Sequence, residues 1–211
     1  MMIEKTTMID KKNIMLIIMV IMIACNLRAP VTCVGALVND IQASLGLSPE
    51  AAGSITTIPL LTFAAVSPAA VFLSERIGAG KTLAAGFAVM CIGIAMRSYG
   101  GIFGMFAGTV VIGGAIGLGN VMLPAIIKSR FPDRIESLTS LYTMIMQIVS
   151  AVGTAVSVPI AAAAGWNESI FIWILPAFLA MLLCVTNRHI KVTMPVSKEN
   201  KTHIYKKKIT W

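Results

Sequence analysis

Acid is what this chain has least of. Its 211 residues carry nine Asp and Glu against seventeen Lys and Arg. None of the nine lies in the middle of a long apolar stretch, and Glu75, Asp133 and Glu136 sit at stretch edges. A catalytic pair of carboxylates inside those stretches is therefore excluded. Histidine is nearly absent, and both copies, His189 and His203, fall beyond the last apolar stretch. There is no H-E-x-x-H and no G-x-S-x-G nucleophile elbow. The four cysteines, Cys25, Cys33, Cys91 and Cys184, lie singly in apolar stretches without metal-ligand spacing, and read as small core residues. These absences argue against an enzyme, and no cofactor or metal site is expected. Charge is also sparse, at 12% of residues, about half of the ~25% that coats a soluble domain.

What is present is apolar surface. Hydrophobic residues make up 57% and mean hydropathy is +0.85, which a water-soluble domain could not keep covered. The apolar residues gather into six stretches, at about 13–38, 51–73, 82–99, 102–127, 138–164 and 169–187. Each is close to the roughly 20 residues that cross a bilayer as a helix. The first is too long for the core of a signal peptide and lacks a cleavage-type end. The second opens after Ser48-Pro49-Glu50, a good helix start with Pro in the first turn. The gaps are short, so neighbouring helices run antiparallel in one bundle. The expectation is an all-α membrane protein with six transmembrane helices at 13–187. It is flanked by an N-terminal tail at 1–12 and a basic, disordered tail at 188–211.

Fifteen of the seventeen basic residues occupy alternate gaps. They are Lys5, Lys11 and Lys12, then Arg76 and Lys81, then Lys128, Arg130 and Arg134, then seven in the tail from Arg188 to Lys208. The gaps near 40–50, 100–101 and 165–168 have none. Cytoplasmic loops retain Lys and Arg, so the pattern places both termini in the cytoplasm of a multi-pass protein of the plasma (inner) membrane. It also explains the net charge of +8 without nucleic acid, because the basic residues are spread over short loops on one side. The expected partners are the lipid bilayer and a small-molecule substrate.

The remaining two arginines fall inside the stretches. Arg28 is two to three residues past the middle of the first, about 4 Å from the midplane at 1.5 Å per residue. Facing lipid it would cost at least about 2.5–3.5 kcal/mol. No acid lies at its depth. Two readings stand: Arg28 binds an anionic or strongly dipolar substrate, or it is held by backbone carbonyls near Pro30. Arg97 lies near the outer end of the third stretch, where it is expected to snorkel or cap a helix C-terminus rather than capture substrate. On the fifth stretch Thr139, Thr143, Gln147, Ser150, Thr154 and Ser157 hold one helical face. Such a stripe lines a cavity or supplies interhelical hydrogen bonds. Arg28 and Thr32 share a face of the first stretch, and Asn120 and Pro124 share one of the fourth. The pairs Gly104–Gly108 and Gly113–Gly117 have the spacing of close helix packing, and GGAIGLG at 113–119 has no strand before it to make a phosphate loop.

These features together resemble one half of a major facilitator superfamily transporter. The LSERIGAGK loop (73–81) is similar to the superfamily's signature loop, with Glu75, Arg76 and Gly78 at its acid, basic and glycine positions. Ala79 and Gly80 stand where the family has a basic pair, and Lys81 follows one residue late, which weakens the charge relay of a gating loop. Within the superfamily, NLRAPVTCVGALVNDIQASLGLS (26–48), TTIPLL (56–61), NVMLPAIIKSRFP (120–132) and SLYT (140–143) resemble the cyanate and nitroimidazole transporter family over about 13–187. The resemblance implies secondary transport of a small anionic or polar compound. It implies substrate contact by Arg28, and by Asn120 and Tyr142 on the cavity side. Thr32, Thr143 and Gln147 join them as substrate-binding candidates. Such transporters have twelve crossings in two halves with the site between them. A six-crossing chain is accordingly expected to be a truncated N-terminal half, a homodimeric half-transporter, one partner of a second polypeptide, or a non-transporting membrane remnant.

The charge pattern makes a direct prediction. In a background lacking the four native cysteines, Gln42→Cys and Asn167→Cys should react with an impermeant thiol reagent from outside. Lys81→Cys and Arg134→Cys should not. The opposite labelling would reverse the orientation.

Overall fold

A computed structural model of the protein describes residues 11–188. Of the expected tails at 1–12 and 188–211, residues 1–10 and 189–211 lie outside the described residues, and Lys11 and Lys12 belong to α1. Eight α-helices and one 3-10 turn follow in order: α1 (Lys11–Ala36), α2 (Val38–Leu45), α3 (Pro49–Ile77), α4 (Ala79–Tyr99), α5 (Gly101–Arg130), the turn Pro132–Arg134, α6 (Ile135–Ala164), α7 (Trp166–Phe171) and α8 (Ile174–Thr186). Six helical segments are long and apolar enough to cross a membrane, with α7 and α8 together making the last.

Local chemistry sets the joints. The gap expected after the first crossing contains α2, whose Ile41 packs with Leu37 and Ile55 in a second, small core. This helix stops at Gly46, whose left-handed backbone (φ 63°) closes the last turn at little strain. Ser48 then starts α3, accepting a hydrogen bond on its Oγ from the Ala51 N–H at 3.3 Å, with Pro49 in the first turn. The sixth crossing is interrupted at Ile172–Trp173. Pro176 lacks the N–H that would serve the Ile172 carbonyl. Leu175 donates to that carbonyl instead, at 3.2 Å, and the helix tightens locally.

The main contacts are α4 with α5, α3 with α5, α1 with α6 and α4 with α8. In lipid, apolar side chains gain nothing from leaving solvent, so close backbone approach and dispersion hold such helices together. Glycine permits that approach. A Cβ on Gly108 would lie 2.5 Å from the Gly93 carbonyl oxygen and 2.8 Å from the Arg97 nitrogen. One on Gly113 would lie 2.8 Å from the Pro59 Cα. Gly108 and Gly113 thus press α5 against α4 on one side and α3 on the other. The main core lies between α1, α4, α5 and α8, with Ile23, Leu83, Met90, Ile112, Met122 and Ala177 fully enclosed.

Burial is uneven. Half of the most apolar window of α1, α4 and α5 is buried, but only 17% of that of α3 and α6. Those two helices present Leu60, Leu61, Met144, Ile148 and Val152 outward.

Overpacking a tight site typically costs about 1–3 kcal/mol. Gly108→Ala and Gly113→Ala should therefore lower the unfolding temperature of the detergent-solubilised protein. Gly53→Ala, where an added methyl meets nothing within 4 Å, should be neutral or raise it. Equal effects at all three positions would contradict the packing account.

Candidate functional site

The concave feature with convergent polar groups is a cavity of about 340 Å³ around Arg28. It is lined from α1 by Leu27, Arg28, Val31 and Thr32, and from α3 by Pro59, Leu60 and Phe63. Ile116 and Asn120 of α5 and Met146 of α6 complete it. Helical periodicity builds this wall, because the pairs Arg28/Thr32, Pro59/Phe63 and Ile116/Asn120 are each four residues apart and stack on one face. The glycines bring the pieces together. Gly113 and Gly117 receive α3 at Pro59 and Phe63, which carries the α3 part of the lining up to α5.

Arg28 is exposed into this space. Among the described residues its side chain has no hydrogen bond and no ion pair. The Pro30 carbonyl does not hold it. That carbonyl is taken by Arg97 of α4, which donates from Nη2. This corrects the expectation for Arg97. The side chain is 1% exposed and turned inward, neither snorkelling nor capping. Gly108 of α5 packs directly against the backbone and Cβ of Arg97, so α4 and α5 are in close contact at this turn. The sequence signal that could have shown this is Gly93, one turn before Arg97 on the same face.

Thr32 and Asn120 join Arg28 in the cavity. The Asn120 Nδ2 donates to the Ile116 carbonyl at 3.0 Å, so that its Oδ1 is not engaged by this bond. Thr32 accepts a hydrogen bond on Oγ1 from the Ser150 hydroxyl of α6, at 3.0 Å. The other three candidates lie elsewhere on α6. Tyr142 is half-buried against the main core, outside the cavity lining. The Thr143 hydroxyl serves the carbonyls of its own helix at Thr139 and Ser140. Gln147 is exposed beside the lining residue Met146.

The α6 stripe thus divides. Ser150 reaches Thr32 of α1, while the Thr154 and Ser157 hydroxyls donate to carbonyls of α6 itself, and the Ser157 carbonyl accepts from the buried Ser169 hydroxyl of α7 at 2.8 Å. Gln147, one turn earlier on α6, is exposed. A second hollow, of about 230 Å³, lies between α6 and the α7–α8 joint and is lined chiefly by apolar residues such as Val152, Val156, Ile172 and Trp173.

The signature-like loop is remote from the cavity, at the α3–α4 joint. Glu75, Arg76 and Lys81 are exposed, and the Arg76 guanidinium lies 4.3 Å above the Phe72 ring. Gly78 ends α3, donating to the Ser74 carbonyl, and begins α4. Gly80 shows why the usual basic residue is missing. A Cβ there would come 2.6 Å from the Asn187 carbonyl oxygen, where the end of α8 packs.

Six membrane-spanning helices in this arrangement match half of a solved transporter. The proton:xylose symporter XylE bound to 6-bromo-6-deoxy-D-glucose superposes with a TM-score of 0.72 at 17% identity, over 84% of this chain and 45% of that one. Its inward-open form from E. coli gives 0.68 at 15% identity. The chain belongs to the Major Facilitator Superfamily, whose family model matches residues 10–209. It is 38% identical over 195 residues to YycB of Bacillus subtilis, described as an uncharacterized transporter, covering 91% of this chain and 48% of that protein. It is also 38% identical over 179 residues to the 2-nitroimidazole transporter of Escherichia coli, covering 84% and 46%. The cyanate transport protein CynX of the same organism is 23% identical over 190 residues, covering 86% and 50%. The chain spans about half the length of these curated relatives.

Proposed function

We propose that this bundle forms one wall of a secondary transporter for a small anionic or strongly polar compound. The observation that carries the reading is Arg28: a permanently protonated guanidinium near mid-depth, open to a 340 Å³ cavity and without a partner among the described residues. A cation so placed is costly unless a counter-charge arrives from outside the bundle. A substrate anion supplies it, and leaves again. Thr32 and Asn120 offer the directional contacts, and Leu27, Phe63 and Met146 the apolar ones that small-molecule sites use. Relatives named for 2-nitroimidazole and cyanate favour a compact planar or linear substrate of that kind. Family membership favours transport over covalent turnover.

The poorly buried α3 and α6 flank the cavity, so the opposite wall is contributed across them by a second six-helix bundle. A second copy and a separate polypeptide both satisfy that geometry. In this reading the α3–α4 joint faces the cytoplasm with both termini, in the plasma membrane.

Arg28→Ala should weaken binding of cyanate or 2-nitroimidazole by about 30-fold or more, since removing one partner of a desolvated charge pair costs about 2–5 kcal/mol. Arg28→Lys keeps the charge but loses the planar fork, so it should still impair binding. Both variants should insert in the membrane and resist proteolysis. Undiminished binding by Arg28→Ala would remove Arg28 from the site.

A further inference from the structure

The geometry points to Arg97 as the positioning residue for Arg28. It acts through the backbone of α1 at Pro30. This deepens the reading of Arg28 as the ligand contact and rests on it for its meaning.

Pro30 is the weak point of α1. Lacking an N–H, it leaves the Asn26 carbonyl without its helical donor, two residues from Arg28. A helix relieved of one bond can bend there, and the direction in which Arg28 points would then vary. Three ties from three other helices converge on this segment. Arg97 of α4 donates to the Pro30 carbonyl. The Asn26 Nδ2 donates to the Pro176 carbonyl of α8 at 3.0 Å. Ser150 of α6 donates to Thr32 at 3.0 Å. Arg97 is the costly one. It is fully enclosed, and among the described residues its Nε has no partner and no carboxylate contacts it. A neutral donor would satisfy the same carbonyl at a smaller desolvation penalty. Packing alone therefore does not account for the charge. A charge-assisted bond to the carbonyl at the proline is shorter and stronger than a neutral one. It fixes the turn of α1 that carries Arg28 against the rigid, glycine-packed α4–α5 pair. The second arginine thus sets the aim of the first.

The test reads the position of residue 28 without any ligand. In the background lacking native cysteines, Arg28→Cys and Gln147→Cys are made separately and reacted in membrane vesicles with methanethiosulfonate ethylammonium. The readout is the ratio of the two reaction rates. Arg97→Gln should change that ratio by about tenfold, within the range seen for coupled neighbours. Arg97→Lys, which keeps a charged donor, should restore most of it. Adding Pro30→Ala to Arg97→Gln returns the missing N–H and should bring the ratio back to the parent value. An unchanged ratio in Arg97→Gln, or a change that persists with Pro30→Ala, overturns the assignment. If Arg97→Gln is lost to proteolysis, recovery by the added Pro30→Ala supports it. Loss of both variants makes Arg97 a folding residue only and also overturns it. Because no ligand is present, failure here is separate from failure of the Arg28 binding variants.

Discussion

The structure is organised by one electrostatic constraint: a guanidinium in a low-dielectric slab must find an oxygen. Water is scarce there, and the group cannot shed its proton. The bundle holds two such groups and treats them oppositely. Arg97 is closed in and matched to a backbone carbonyl of a neighbouring helix. Arg28 is left open with nothing inside the described bundle to neutralise it. The first arrangement is closed, and the second is the one proposed to receive a substrate anion. The scarcity of acid is thus a property of the site as well as of the composition, because an Asp or Glu at this depth would fill the vacancy that a transported anion is proposed to fill.

Packing serves that contrast. Glycines on α5 draw α3 and α4 in until backbones nearly touch, which fixes the α3 and α5 parts of the cavity wall and backs them with α4. On the cavity side α1 is the flexible member, interrupted at Pro30, and it is tied from three directions within two turns. The helices that flank the opening, α3 and α6, are the least buried of the six. A stiff wall, a pinned α1 and two little-buried flanks support the proposal that a second bundle completes the site.

The six crossings and the family were legible in the sequence because both rest on local signals: runs near bilayer length, and motifs such as LSERIGAGK and NVMLPAIIKSRFP. What was not legible depends on contacts far apart in the chain. Arg97 looked like an edge residue by its distance from a helix end, yet the fold brings it onto a carbonyl of α1, 67 residues away. The α6 stripe could not be divided from its spacing, since Ser150 and Gln147 differ only in whether a neighbouring helix offers Thr32. The short α2 escaped notice because eight residues rich in polar groups carry too weak a pattern, and only Ile41 and Leu45 anchor it in the core near Leu37 and Ile55. Gly80 read as a departure from the loop pattern, and its reason, the end of α8 packed against it, lies over a hundred residues further on.

The central claim is that this bundle supplies one wall and that its open arginine needs another. The most direct measurement reconstitutes the 211-residue chain in liposomes at protein-to-lipid ratios that vary its self-association. The copies per particle are counted by cross-linking or native mass, and uptake of cyanate or 2-nitroimidazole is followed in the same vesicles. The account predicts no uptake from single copies, and either uptake or enhanced stability only where bundles associate through the faces of α1, α3, α5 and α6. Robust uptake by chains shown to be monomeric would contradict it and identify a self-sufficient six-helix carrier.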